Sequence, residues 1–234
     1  MKMYVTAIVL AAGKGLRFGS AKPKQLSLLG GKPVIIHSLL ALSGSEHIRD
    51  IVLVVNSTNK GDILGQVRKY NIPKIRQVVF GGKRRQDSVR NALKVLDKSA
   101  ELVLIHDGVR PFIGKDYIDG LIREAAKTKA AILAVPVKAT VKKARKSGRG
   151  KSLRVSQSLK REELWEVQTP QAFNKELLVT AYDRFNSGDV TDDAMLIEKM
   201  AKPVSLVMGS YENIKITTPE DLAIAEVFYK QKRF

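Results

Sequence analysis

The chain has 234 residues, 44% of them hydrophobic, with 41 Lys and Arg against 23 Asp and Glu, a net charge of +18 and no cysteine. That length and apolar content fit one large soluble domain and exclude a disordered or fibrous chain. The absence of cysteine excludes disulfides, thiolate metal sites and a cysteine nucleophile. Strand- or helix-length apolar runs broken by charge exclude the ~20-residue apolar span of a membrane helix. The opening Met1-Lys2-Met3-Tyr4-Val5-Thr6 lacks the long apolar region and cleavage site of a secretory signal, so a cytoplasmic protein without a membrane anchor is expected. An excess of cations this large implies an acidic partner: nucleic acid, an anionic membrane surface or phosphorylated small molecules. Only 6% of the residues are aromatic, which argues against a single-stranded nucleic-acid binder built on stacking platforms.

Along the chain, apolar β-branched runs alternate with helix-like segments. Thr6–Leu10, Ile51–Val55, Ile75–Phe80, Leu102–His106 and Ala131–Val135 read as buried strands. Pro33–Leu42, Asp62–Tyr70, Arg85–Leu96 and Asp116–Lys127 carry apolar residues at helical spacing. The alternation predicts a single Rossmann-like α/β domain over residues 1–234: a mostly parallel sheet with helices on both faces and a ligand site beyond the carboxyl ends of its strands. From about 138 to 160 the texture changes to a basic run with no acidic residue before Glu162, in which Gly148 and Gly150 separate the strand-like pieces Thr140–Val141 and Leu153–Ser156. A projecting hairpin arm fits, and a disordered basic loop is the alternative. Helices are then expected over Lys175–Phe185 and Asp193–Met200, and strands over Val204–Met208 and Ile214–Thr217. A last helix is expected to be capped by Thr218 with Pro219, Glu220 and Asp221 in its first turn.

The loop after the first strand is the strongest local signal. Leu10-Ala11-Ala12-Gly13-Lys14-Gly15-Leu16-Arg17-Phe18-Gly19, then Lys22-Pro23-Lys24-Gln25, places small residues where main-chain N–H groups can approach an anion and cations where they can hold its charge. The dinucleotide fingerprint fails at Phe18, and a Walker phosphate loop needs Gly-Lys-Ser or Gly-Lys-Thr; Gly150-Lys151-Ser152 has that tail but lacks the first glycine. A purely structural glycine turn is the remaining alternative.

This loop resembles the signature loop of sugar-phosphate and alditol-phosphate nucleotidyltransferases. Four further segments follow in order: Gly81-Gly82-Lys83-Arg84-Arg85-Gln86-Asp87-Ser88-Val89, His106-Asp107-Gly108-Val109-Arg110-Pro111, Gln168-Thr169-Pro170-Gln171-Ala172-Phe173 and Asn213-Ile214-Lys215-Ile216-Thr217. Together, from about Val5 to Glu226, they resemble the methylerythritol phosphate cytidylyltransferase family of the non-mevalonate isoprenoid pathway. The resemblance implies that CTP is joined to a phosphate monoester with release of pyrophosphate. It assigns catalysis to Arg17, Lys24, Arg161 and Lys215, and nucleotide binding to Ala11, Ala12, Gly13, Gly15, Gly82, Arg85 and Ser88. The sugar-alcohol phosphate falls to Arg110, Thr140 and Thr169, and Mg²⁺ to Asp107, with Glu212 a weaker second carboxylate and His106 an orienting or packing residue. It also implies a homodimer in which the arm crosses over, so that Arg161 and Thr169 serve the neighbouring subunit. The chain departs from the family pattern at Gly108 and Val109, where small alanines are usual, and at Lys83 and Ala139, where acidic residues are. The ribitol phosphate cytidylyltransferases share most of these motifs, so ribitol 5-phosphate is the alternative acceptor. A basic nucleic-acid-binding protein and a nucleotide-binding module without catalysis are the alternatives of a different class.

Overall fold

The computed structural model describes residues 3–13, 18, 23–147, 152–186 and 189–231. Val5–Leu10 (β1) leads to a two-residue hairpin, Leu28–Leu29 (β2) and Lys32–Pro33 (β3), and to the helix Val34–Gly44 (α1). Ile48–Val55 (β4), Lys60–Lys69 (α2), Ile75–Phe80 (β5), Arg85–Leu93 (α3), Leu102–Asp107 (β6), Lys115–Thr128 (α4) and Ala130–Pro136 (β7) continue the alternation. After the arm strands Lys142–Ser147 (β8) and Ser152–Ser158 (β9) come Trp165–Asn174 (β10), Lys175–Arg184 (α5), Ala194–Lys199 (α6), Ser205–Met208 (β11) and Pro219–Gln231 (α7).

The main sheet has the order β11-β7-β10-β6-β1-β4-β5, and every pairing in it is parallel except those of β10 with β6 and β7. Side chains alternate between its two faces. Val5, Ala7 and Val9 join a core with α1, α2 and α4, including Ile35, Leu39, Ile63 and Leu121. Ile8, Val103 and Ile105 join another with Val89 and Ala92 of α3 and with Leu178, Ala181 and Leu196 of α5 and α6. The chain leaves β1 to build β4 and β5 on one side, then returns to place β6 on the other. The carboxyl ends of β1 and β6, where Leu10 pairs with Asp107, therefore form the switch point at which such sheets bind ligands.

The expected architecture is present, with four corrections. Trp165–Asn174 is a strand, where only a motif was expected, and it runs antiparallel inside an otherwise parallel sheet. Ile75–Phe80 is an edge strand and not a buried one, with Phe80 52% exposed, because no element covers its outer side. Ile214–Thr217 pairs with no strand; it runs along the cleft, where Ile216 N–H reaches the Val109 carbonyl at 3.0 Å. The arm is a hairpin rather than a disordered loop, but its first strand starts at Lys142, not Thr140. The turn glycines Gly148 and Gly150 lie outside the described residues.

The last helix begins as expected. The Thr218 hydroxyl accepts the Asp221 N–H at 3.4 Å, and the Asp221 carboxylate accepts the N–H groups of Thr217 and Thr218 at 2.8 and 2.9 Å, a reciprocal cap. No helix among the described residues is long and apolar enough to cross a membrane.

Candidate functional site

The loop after β1 is held from behind by three amides. Gln25, itself buried, donates through Nε2 to the carbonyls of Ala11 and Gly13, both at 2.8 Å; Asn59 donates to Ala11 at 2.8 Å and Asn56 to Ala12 at 3.0 Å. With its carbonyls turned toward these amides, the loop presents its opposite edge to the cleft. Ala11 also donates its N–H to Val54 at 2.7 Å, so both of its main-chain groups are engaged. Ala11 is thus the floor of the loop, and the cleft is lined by its neighbours Leu10, Ala12 and Gly13. Arg17 and Gly15 lie outside the described residues.

A second wall comes from the turn between β5 and α3. Gly81 and Gly82 are required there: a Cβ on Gly81 would strike Ala12 Cβ and Ser88 Oγ, and one on Gly82 would strike Asp87 Cβ. The Ser88 hydroxyl accepts the Gly82 N–H at 3.1 Å and donates to the Arg84 carbonyl at 3.2 Å. Its proton being engaged, Ser88 can offer a ligand only a lone pair.

At the end of β6 a nearly buried carboxylate faces three cations. Lys215 Nζ lies 2.7 Å from Asp107 Oδ2, Arg85 Nε 3.4 Å from Oδ1 and Arg110 Nε 3.9 Å from Oδ2. Burial alone would raise the Asp107 pKa; Arg85, Lys215 and Arg110 overcome that and hold it far below the usual carboxylate range. Arg85 is in turn gripped by Asp193, buried, at 2.7 Å through Nη1. Burial opposes the Arg85 charge, but Asp193 and Asp107 outweigh it and keep the guanidinium protonated. Asp193 also accepts the Tyr182 hydroxyl at 2.6 Å. Asn56, Asn59, Asp193 and Tyr182 carry no local motif and were not expected at the site.

Two clefts meet at this carboxylate. The larger, about 690 Å³, runs between the β1 loop and the β5–α3 turn; among the described residues its charged lining is Lys24, Lys83, Arg84, Arg85 and Lys215 against Asp107 alone. The smaller, about 450 Å³, is lined by Arg110, Gln168, Thr169, Gln171, Asp192 and Glu198 among others, and shares Arg85, Asp107 and Lys215 with the first.

Three residues, Gln168–Pro170, oppose the single Leu133 where β10 slips against β7. Such a bulge re-aims side chains, and here it turns Thr169 toward Asp107. The Thr169 hydroxyl accepts the Asp107 N–H at 3.0 Å and lies 3.3 Å from His106 Nδ1. The expected assignment of Thr169 to a neighbouring subunit is therefore corrected: its hydroxyl is bound to its own chain's Asp107. Arg110 also stands at the site, donating to the Asn213 carbonyl at 2.7 Å. Thr140 and Arg161 do not. Both are exposed at the arm root, line neither cleft, and Arg161 donates to the Lys138 carbonyl at 3.1 Å. No three His, Cys, Asp or Glu side chains among the described residues come together as a metal site, and Glu212 lines neither cleft.

His106 is fully buried, its Nε2 3.1 Å from the Arg110 carbonyl. These partners fix one tautomer, with Nε2–H donating to Arg110 and Nδ1 accepting from Thr169. Burial pulls its pKa down to about 4. A folded-state pKa below the unfolded value of about 6.5 means stability that is full above about 6.5 and lost as pH falls toward 4, at about 1.4 kcal/mol per pH unit. Half-buried His37 is shifted in the same direction, also mainly by burial, so the measurement is a difference. Urea melts of wild type should lose stability between pH 6.5 and 4 more steeply than those of His106→Gln. Equal slopes would show that His106 is not held neutral by the fold.

A sheet of this order, with a cation-lined cleft beyond its carboxyl ends that meets a second cleft of mixed charge at one carboxylate, is the build of a nucleotidyltransferase. Residues 5–231 match the family model of 2-C-methyl-D-erythritol 4-phosphate cytidylyltransferase. The chain belongs to that family. Proteins of this name from Syntrophus aciditrophicus and Geobacillus thermodenitrificans are each 44% identical to it, over 235 and 226 residues. The alignments cover 99% of this chain and 98% of the first protein, and 96% of this chain and 96% of the second. Among solved structures, 4-diphosphocytidyl-2C-methyl-D-erythritol synthase from Anaerococcus prevotii superposes with a TM-score of 0.85 at 35% identity, covering 98% of this chain and 97% of that one. The 2-C-methyl-D-erythritol 4-phosphate cytidylyltransferase of Thermus thermophilus gives 0.74 at 29% identity, covering 97% and 100%.

Proposed function

We propose that this chain transfers a cytidylyl group from CTP to 2-C-methyl-D-erythritol 4-phosphate, releasing pyrophosphate and leaving a CDP-linked product for isoprenoid precursor synthesis. The observation that carries the reading is the meeting, at Asp107, of a cation-lined cleft with a second cleft in which Arg110 and Lys215 stand, in a chain whose family relatives bear that name over nearly their full length.

The acceptor needs no general base, because a phosphate monoester has its second pKa near ~6 and is already mostly a dianion at neutral pH. It attacks the α-phosphorus of CTP, the bond to the β-phosphate breaks, and the electron pair leaves with pyrophosphate. The protein's task is to bring two anions into line and to hold the charge that gathers at the α-phosphate. Lys24 and Arg17 are assigned to that charge, and Lys215 and Arg110 to the acceptor phosphate. Asp107, positioned by Thr169 and His106, keeps those cations from repelling one another. One carboxylate beside a triphosphate suits Mg²⁺, which takes few protein ligands and uses phosphate oxygens for the rest; when bound it supplies further positive charge to them. Base selection follows from Ser88: a hydroxyl whose proton is engaged by Arg84 accepts from the cytosine amino group and has nothing to give the O4 of a uracil.

A homodimer is part of the reading. Leu153 and Val155 stand 73% and 64% exposed on an arm whose strands, among the described residues, pair only with each other, and Thr140 and Arg161 at its root, which line neither cleft of their own chain, are assigned to another copy's site. Soluble phosphorylated substrates support a cytoplasmic location.

The test is pyrophosphate release with each nucleoside triphosphate, Mg²⁺, and methylerythritol phosphate or ribitol phosphate. Release is expected only with CTP and methylerythritol phosphate. Turnover with ribitol phosphate alone would move the acceptor, and no release with either would sink the enzyme. Mixing inactive Lys24→Ala and Arg161→Ala proteins should restore activity; without rescue, the shared site is wrong.

A further inference from the structure

The C-terminal helix α7 lies outside the two cores that flank the sheet. Its Leu222, Ala225, Phe228 and Tyr229 build a third apolar cluster with Phe18, Leu29, Val34, Val109, Phe112 and Ile216. The cluster's members are sequence neighbours of the cations assigned to catalysis. Phe18, 7% exposed, directly follows Arg17. Ile214 and Ile216 flank Lys215, and Val109 stands two residues after Asp107. Leu29 belongs to the β2–β3 hairpin that follows Lys24.

Specific contacts tie the segments that hold Asp107, Lys24 and Lys215 to the helix. The Phe228 ring meets Phe112 edge-on at 6.0 Å. Glu226 accepts the Gly30 N–H at 3.0 Å, and Tyr229 packs so closely on Gly30 that a Cβ there would enter its ring. Asp221 gathers Thr217 and Thr218 immediately after the Lys215 segment. A solvated surface helix would need none of these attachments.

We infer that α7 is a positioning element of the active site: through Phe228, Glu226 and Asp221 it sets three chain segments, and with them Asp107, Lys24 and Lys215, at their working distances. The inference rests on the proposed function for its kinetic consequence but not for its structural one. Displacing a reacting group by about 1 Å can cost roughly 10²-fold in rate, so loosening the backstop should act on kcat more than on the KM for CTP.

The variants are Phe228→Ala, Phe228→Leu as the conservative form, Glu226→Ala, and Ile224→Ala on the exposed side of the same helix as control. Two readouts are taken on the full chain, well below each variant's Tm. Tryptic cleavage after Lys215 needs the fully buried Ile216 to leave the cluster, so its rate reports the cluster whether or not the protein turns over substrate. We expect about tenfold faster cleavage in Phe228→Ala and Glu226→Ala, and wild-type rates in Phe228→Leu and Ile224→Ala. We also expect kcat to fall about tenfold or more in the same two variants, with KM changed less than about threefold and with recovery in Phe228→Leu. If Phe228→Ala does not fold, Glu226→Ala decides. Cleavage and kcat unchanged in a variant of lowered Tm would overturn the inference, leaving α7 merely structural. Wild type without turnover would instead count against the proposed function, with the cleavage rates still deciding the role of α7.

Discussion

Replacing Lys24 with alanine should slow pyrophosphate release by roughly 10²-fold or more, the scale of losing one oxyanion-type donor, with a smaller change in the KM for CTP. Lys24 opens a one-turn 3-10 helix, Lys24–Leu26, on the wall of the larger cleft. The main chain there is set by its neighbour Gln25, whose amide holds the Ala11 and Gly13 carbonyls. Truncating the lysine therefore leaves these amide contacts of the loop in place while removing the ammonium. Stability should fall by about 1 kcal/mol, the ordinary cost of a single substitution. Equal loss of kcat and kcat/KM would mark a contact made in the transition state, whereas a raised KM with unchanged kcat would show that Lys24 only holds ground-state CTP and would overturn the role assigned to it.

Asp107→Asn should be the most damaging single change in both activity and stability. The substitution keeps the shape but removes the anion that Arg85, Lys215 and Arg110 share. Asp193 still holds Arg85 in its charged form, so the cluster cannot relax by losing a proton there. Removing one partner of a buried ion pair costs about 3–5 kcal/mol, which for a chain of this size lowers Tm on the order of 10 °C. Turnover should fall at least roughly 10²-fold, and the Mg²⁺ concentration for half-maximal rate should rise. A further signature separates this account from simple damage: CTP added without metal should raise the Tm of Asp107→Asn more than that of wild type, because the triphosphate replaces the missing charge. A variant with wild-type Tm would show that the three cations do not depend on Asp107.

The parallel part of the fold was legible because its strands are buried on both faces and read as unbroken runs, as in Leu102–His106 and Ala131–Val135. The antiparallel strand β10 was not. Gln168, Thr169, Pro170 and Gln171 interrupt any alternation, and what makes them strand residues is the slot between β6 and β7, which no local pattern announces. Ile214–Thr217 failed in the opposite direction: β-branched residues promise a strand, but the segment lies over the cleft, away from any free sheet edge. At the site, Lys24, Arg85, Asp107, Arg110 and Lys215 were marked by motifs, and they line the two adjoining clefts. Asn56, Asn59 and Asp193 act through partners 44, 48 and 108 positions away in sequence, Ala12, Ala11 and Arg85, and nothing adjacent to them signals that.

The place of β10 also orders events during synthesis. Until residue 174 has left the ribosome, β6 lacks one neighbour and β7 lacks its antiparallel partner, although both strands were made tens of residues earlier. A nascent chain halted inside the basic arm would show two apolar strand edges to its surroundings, the kind of surface that recruits chaperones or other unfinished chains. The hydroxyl of Thr169 that steadies Asp107 arrives with the same strand, so bridging β6 to β7 and steadying Asp107 are a single step, ahead of β11 and Lys215.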